Sequence, residues 1–146
     1  MADAKKFRVG VVGYSGKPFN KDIAKALLLI AFKVLGAEDK DKGEVVVVSG
    51  LTNLGIPALA YQIAKERGWQ TWGIACKKAA EYEKFPCDQE ALIGEDWGEE
   101  SVHFLNNIDV LVRVGGGEQS MKEAKMAKEK HLPVYEYDLP ITKEKS

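Results

Sequence analysis

The sequence predicts an α/β fold of three layers, with a mostly parallel sheet held between two layers of helices. Two observations carry that prediction. Short apolar runs of strand length alternate with helix-length periodic runs from end to end. One run, Glu44–Ser49, contains four consecutive valines, the pattern of a strand buried on both faces near the middle of a parallel sheet. At 146 residues the chain has the length of one domain, 1–146, with a core from about residue 7 to residue 138 and a polar tail over 141–146.

The elements follow in order. Residues 7–13 form a short apolar run ending at glycine, hence a first buried strand. From Pro18 to Leu35 the pattern is helical: Pro18 suits the first turn, Asn20 can cap, and Gly36 terminates. The middle of this helix is apolar nearly all round, so it needs cover on more than one side. The valine strand comes next. Pro57 to Arg67 reads as a helix with Ile56, Leu59, Ala60, Ile63 and Ala64 on one face and Gly68 as the stop. Gln70–Ala75 is a third strand, followed by a long irregular loop over 76–90. Ala91–Ile93 suggests a short strand, Asp96–Asn106 a helix with Glu99 and Glu100 in its first turn, and Ile108–Val114 a strand. Ser120–Lys130 is a last helix and Pro133–Tyr137 a last strand.

Composition narrows the function. Apolar residues make up 45% and charged residues 29%, which excludes disordered, collagenous and coiled-coil chains. Lys plus Arg is 21 and Asp plus Glu is 22, a net charge of -1, so a broad nucleic-acid or anionic-membrane surface is not expected. The longest apolar run, Ala26–Phe32, is too short to span a bilayer, and no apolar signal core follows Met1–Lys6. Cys76 and Cys87 form no C-x-x-C pair, which predicts a reducing, cytoplasmic setting. His103 and His131 lack metal-type spacing, so no metal site is predicted. Cys76 precedes Lys77 and Lys78, though a small buried residue explains it as well. Trp69 and Trp72 read as core or interface, and Trp97 lies in a loop able to cover a base.

In parallel sheets, ligands bind outside the carboxyl ends of the strands. Three glycine-bearing loops follow predicted strands and are expected to meet at that edge. The first is Gly13-Tyr14-Ser15-Gly16-Lys17, whose glycines admit an anion to backbone N–H groups, with Lys17 as counter-charge. Its spacing fits neither a Walker A loop nor a dinucleotide fingerprint. The second runs from Ser49 to Gly55. Ser49, Thr52 and Asn53 offer donors, Gly50 and Gly55 permit close approach, and Thr52 or Asn53 can also cap the next helix. The third is Gly115-Gly116-Gly117-Glu118-Gln119-Ser120, leading to Glu123. Three successive glycines add backbone entropy that packing alone does not justify, so close approach to a ligand is the better account. Ser120-x-x-Glu123 is equally a capping box, which leaves Glu123 open between a structural and a functional role.

The order of these loops resembles the SLOG superfamily of Rossmann-like nucleotide-ligand domains, which includes LONELY GUY-type proteins and DNA-processing A proteins. The resemblance spans about residues 7–138. It is carried by Val12–Gly16, by Val48–Ala60, and by Asp109–Glu123, which looks like the family's P-G-G-x-G-T-x-x-E strand and signature. Gly116 and Gly117 take the paired-glycine places, Ser120 replaces threonine and Glu123 is the motif's glutamate. Gly115 replaces the proline and Gln119 the third glycine. The family's phosphoribohydrolases pair that glutamate with an arginine ahead of the signature strand. Of Arg8, Arg67 and Arg113, none stands there.

The expected function is binding of a nucleotide or nucleotide-derived small molecule at the three loops, with no cofactor required. Phosphate is expected at Gly115–Ser120, with Ser120 donating to it and Glu123 facing the sugar. The alternative is a nucleoside 5′-monophosphate phosphoribohydrolase with Glu123 as catalytic residue. A third reading, single-stranded nucleic-acid binding, is disfavoured by the charge balance. The resemblance, with the apolar Asp22–Leu35 helix, also implies a homodimer.

Overall fold

The computed structural model describes residues 6–15, 18–37 and 43–142. Gly16 and Lys17 of the first loop, and 143–146 of the expected tail, lie outside the described residues. The strands are β1 (Lys6–Gly13), β2 (Glu44–Ser49), β3 (Gln70–Ala75), β4 (Gln89–Leu92), β5 (Val110–Val114) and β6 (Val134–Tyr137). They form one six-stranded sheet in the order β4-β3-β2-β1-β5-β6. Every pairing is parallel, with Val9 of β1 in register with Val47 of β2 on one side and Val110 of β5 on the other. The expectation of a mostly parallel sheet is met and exceeded.

Alternation along the strands divides the core in two. Val9, Val11, Val45, Val47, Val110 and Val112 pack on one face with Leu28 and Phe32 of α1 (Lys21–Val34) and Ile56, Tyr61 and Ile63 of α2 (Gly55–Glu66). Val12, Val46, Val48 and Leu111 pack on the other with Phe104 and Leu105 of α3 (Ser101–Leu105) and Ala124 and Ala127 of α4 (Glu118–Glu129). The valine run of β2 thus feeds both cores, as its sequence requires. Asn20 caps α1 by accepting from the Ile23 N–H at 3.0 Å. At its other end Gly36 takes a φ of 81°, the left-handed conformation a helix stop needs.

Three elements depart from the sequence expectation. The helix predicted over Asp96–Asn106 is shortened to Ser101–Leu105, because Gly98 takes a φ of 95° that breaks the helical run. The Glu99 carboxylate then closes the turn before it, accepting from the Glu95 and Asp96 N–H groups at 2.7 and 3.2 Å. The irregular loop after β3 contains a short 3₁₀ helix at Lys77–Glu81 and ends in β4, which begins at Gln89. The α4 helix starts at Glu118, two residues before Ser120, so Ser120 and Glu123 do not form a capping box. Among the described residues no helix is long and apolar enough to cross a membrane.

The chain runs outward from β1 to β4, then crosses back to β5 beside β1. The strand order therefore reverses between β1 and β5, where the loops leaving their carboxyl ends open a crevice. Because all strands are parallel, the loops after β1, β2 and β5 leave from one edge, as expected.

Candidate functional site

At that edge the first loop is fixed by backbone packing. A side chain at Gly13 would bring its Cβ to 2.3 Å from the Val114 carbonyl, so glycine is required where β1 and β5 end together. The Tyr14 carbonyl accepts from the Ile56 N–H at 2.8 Å, which ties the loop to the start of α2. A Cβ on Gly55 would lie 2.1 Å from that same carbonyl, so the close approach Gly55 permits is to the chain's own backbone. The Tyr14 ring stacks on Phe19 with centroids 6.3 Å apart and covers Gly115.

The second loop is pinned from below and from the side. Ser49 Oγ, buried, donates to the Val11 carbonyl at 2.6 Å. The Tyr61 hydroxyl, also buried, lies 2.7 Å from the Gly50 carbonyl and 3.1 Å from that of Trp72. Asn53 Nδ2 donates to Glu83 at 2.9 Å, and Thr52 pairs with Lys84, so the 82–85 segment is zipped to this loop. The α2 helix begins after Leu54 with no side-chain cap, so neither Thr52 nor Asn53 serves as one.

The third loop leaves β5 through Gly115, at φ 71°, and Gly117, at φ 118°, which stands at the N-cap of α4 with no side-chain cap. The first N–H groups of α4 therefore face the edge without an intrahelical partner. Behind the loop, Arg113 is buried on β5. Its guanidinium donates to the Gly115 carbonyl, to Glu136 on β6 at 2.8 Å and to Asp138 at 3.1 Å. Burial works against its charge, but the bonds to Glu136 and Asp138 outweigh it and hold the pKa above the usual arginine value. Ser120 Oγ donates to the Gly13 carbonyl at 3.2 Å and so clasps the first loop to the third. The hydroxyl expected to donate to a phosphate is thus the one that spans these two loops.

Between the loops lies a cavity of about 140 Å³ lined by Gly13, Ser15, Gly50, Thr52, Gln119, Ser120 and Glu123, with Ile74, Trp97, Glu100 and Phe104. A shallower groove of about 290 Å³ adjoins it, formed by Gly13, Tyr14, Ser15 and Gly116 to Ser120. Gly115 borders a further groove with Arg113 and Asp138. Ser49, Asn53 and Gly55 line none of these and act as supports.

The cavity floor is acidic. Glu123, 5% exposed, accepts from Ser101 Oγ at 2.8 Å and from Gln119 Nε2 at 3.3 Å, both at one oxygen. Gln119 Nε2 also donates to Glu100 at 3.0 Å, and the Gly98 N–H donates to the other Glu100 oxygen at 2.9 Å. Burial pushes the Glu123 carboxyl above its usual range, the bonds from Ser101 and Gln119 pull it back, and neighbouring Glu100 adds to the rise. Glu123 thus turns toward α3 rather than its own helix start. Sequence reasoning had Glu123 but missed Glu100 and Ser101. Their only sequence signal was an acid–serine pair at a helix start, and the contact spans 22 residues. No group of three or more histidine, cysteine or acidic residues suited to a metal occurs among the described residues.

The fold and this edge define a Rossmann-like α/β domain with a cavity at its topological switch point. No family profile matches the chain, and no curated protein matches it in sequence. Solved structures do. The X-ray structure of TM1055 is similar at 27% identity and a TM-score of 0.68, covering 88% of this chain and 72% of that one. The molybdenum cofactor carrier protein from Chlamydomonas reinhardtii is similar at 26% identity and a TM-score of 0.66, covering 90% and 76%. The molybdenum cofactor binding protein from the phototrophic bacterium Rippkaea orientalis shares the fold, at 22% identity and a TM-score of 0.72 over 90% and 76%.

Proposed function

We propose that this protein binds and carries a phosphate-bearing, nucleotide-like small molecule in the cleft formed by its first and third glycine loops. The observation that carries the reading is the start of α4. An uncapped helix N-terminus, preceded by side-chain-free Gly116 and Gly117, opens onto a groove continuous with a cavity. Helix N-termini of this kind favour anions. Likeness to molybdenum cofactor carrier and binding proteins supports a ligand of that size and kind. The loop order supports a SLOG-type lineage. We further read the protein as cytoplasmic, since Cys76 and Cys87 are both free thiols, and as a homodimer through α1.

The phosphate belongs in the groove rather than in the cavity, because Glu100 and Glu123 are buried at the cavity and repel it there, whereas Glu118 on the groove is exposed and its charge is screened by solvent. Binding is favoured over N-glycoside hydrolysis, because among the described residues no lysine, arginine or histidine lines the cavity beside Glu123.

Gly116→Val tests the reading. A Cβ there meets nothing closer than Met121 Sδ at 3.6 Å, so the fold accommodates valine while the side chain fills the groove. Calorimetry with nucleoside mono-, di- and triphosphates is expected to show binding to the parent protein and a loss of about tenfold or more in the variant. Unchanged affinity in a variant shown folded by circular dichroism would overturn the assignment, and free base released from any monophosphate would restore the hydrolase reading.

A further inference from the structure

All five phenylalanines, five tyrosines and three tryptophans lie among the described residues, and of these Tyr82 and Trp97 alone are exposed, at 61% and 50%. They stand together, with ring centroids 5.9 Å apart and planes at 50°. A single exposed apolar side chain is ordinary on a surface. Two large rings side by side on one groove, with Leu54 58% exposed on the same groove, form a patch suited to an occupant.

Both rings ride on one braced unit. Tyr82 follows the 3₁₀ helix at Lys77–Glu81, and its N–H donates to the Ala79 carbonyl at 3.1 Å. Trp97 sits in the turn between Gly94 and Gly98, which is tied to the same 3₁₀ helix. The Lys77 N–H donates to the Gly94 carbonyl at 2.9 Å, and Lys77 and Lys78 form ion pairs with Glu95 and Asp96. A surface held in advance costs a ligand little ordering.

The groove these rings wall has a volume of about 350 Å³. It shares Ser15 and Gln119 with the groove at the start of α4, and Trp97 lines both it and the cavity. The cavity, at about 140 Å³, is smaller than the roughly 300 Å³ at which sites for small organic ligands begin, and the aromatic groove is larger. The body of a ligand whose phosphate lies at α4 therefore extends toward Trp97. Two π faces suit a flat ring, because stacking needs area and no matched edge. A third ring does not fit between the two, since two stacking contacts need about 7 Å. The ligand ring instead lies on Trp97, which borders both spaces, and Tyr82 backs the indole.

Resting on the function proposed above, we infer that Trp97 is a stacking platform for the flat ring of the ligand, braced by Tyr82. A π face carries no donor and acceptor pattern, so this platform selects ring area: a purine over a pyrimidine, and either over a sugar phosphate without a base.

Calorimetry with GMP, UMP and ribose 5-phosphate on the intact protein tests the inference. GMP is expected to bind most tightly, and about tenfold or more tightly than ribose 5-phosphate. Trp97→Ala is expected to bring GMP down to the level of ribose 5-phosphate while leaving ribose 5-phosphate itself unchanged. Trp97→Phe should keep most of the GMP affinity, and Trp97→Leu, apolar but without a π face, should not. Circular dichroism checks that each variant is folded. Trp69 and Trp72 line neither groove nor the cavity, so fluorescence quenching by GMP should disappear in Trp97→Phe even though GMP still binds. GMP binding that is no tighter than ribose 5-phosphate, is unchanged in Trp97→Ala, or is kept equally by leucine and phenylalanine overturns the platform. Ribose 5-phosphate lost together with GMP in Trp97→Ala also overturns it, because the substitution then acts on the phosphate groove. If GMP binding is lost in Gly116→Val whatever stands at position 97, the proposed function survives without the platform. If none of the three compounds binds the parent protein, both fail.

Discussion

Glu123 is surrounded by groups that orient its charge without neutralising it. Ser101 and Gln119 donate to one oxygen, while Glu100 repels. Folding raises its carboxyl above the unfolded value, so folding favours the protonated form. That contribution is fully present below the ordinary carboxylate range and is lost as pH rises through the raised value. Glu123→Gln keeps a carbonyl acceptor for Ser101 and removes the buried charge. It is expected to stabilise the protein by about 1 kcal/mol near pH 7, as when a strained functional group is relaxed. The gain should shrink as pH falls through the raised carboxyl value and be small by about pH 4, where the parent carboxyl is already protonated. Thermal unfolding of both proteins at the two pH values checks this. A variant less stable than the parent at neutral pH would mean that the ionised form is fully compensated where it stands.

At the scale of elements, α2 supports the cavity from beneath. Tyr61 is fully buried, and burial lifts its phenol well above the ordinary value, so it remains a donor. Its hydroxyl reaches carbonyls on both sides, Gly50 at the end of β2 and Trp72 in β3. Tyr61→Phe keeps the ring against Phe85, 5.1 Å away, but strips a buried donor from those carbonyls. The expected cost is about 1–3 kcal/mol, read as a lower urea midpoint at unchanged slope. An unchanged midpoint would show that water replaces the hydroxyl. Elements set by local pattern were legible in the sequence. The four valines located β2, the β3 limits of Gln70 and Ala75 were read as they stand, and Asn20 and Gly36 bounded α1. What failed depended on one residue's backbone or on distant partners. The sequence did not disclose that Gly98 would adopt a left-handed φ and cut α3 short. The Ser120/Glu123 spacing matched a capping box, yet the helix begins earlier and Glu123 finds Ser101 across the fold. The three loops of the site could be located because parallel topology sends them to one edge. Their division into ligand-facing and supporting residues could not, since Ser49 and Gly55 serve contacts with Val11 and Tyr14 that only the tertiary structure creates.

At the scale of the whole molecule, the sheet is covered on both faces, but one covering helix is itself uncovered. On α1, Ile23 and Ile30 are 50% exposed and Val34 60%, with Leu27 partly buried between them. The spacing 23, 27, 30 and 34 places them along a single stripe of the helix, while Leu28, Ala31 and Phe32 face the core. Exposed isolated apolar residues are ordinary on a surface, but a contiguous stripe on an otherwise amphipathic helix is suited to burial against a partner. A second copy provides the same stripe through a two-fold axis, the commonest way in which such a face is satisfied. The predicted dimer therefore rests on α1 and leaves the carboxyl-edge cleft of each copy to its own loops. Sedimentation velocity at micromolar concentration is expected to show a dimer. The double variant Ile30→Glu, Val34→Glu places two like charges on each side of the axis and should sediment as a folded monomer, because both positions are solvent-exposed within one copy and their replacement removes nothing from the core. A parent protein that remains monomeric, or a double variant that remains dimeric, would remove α1 as the interface.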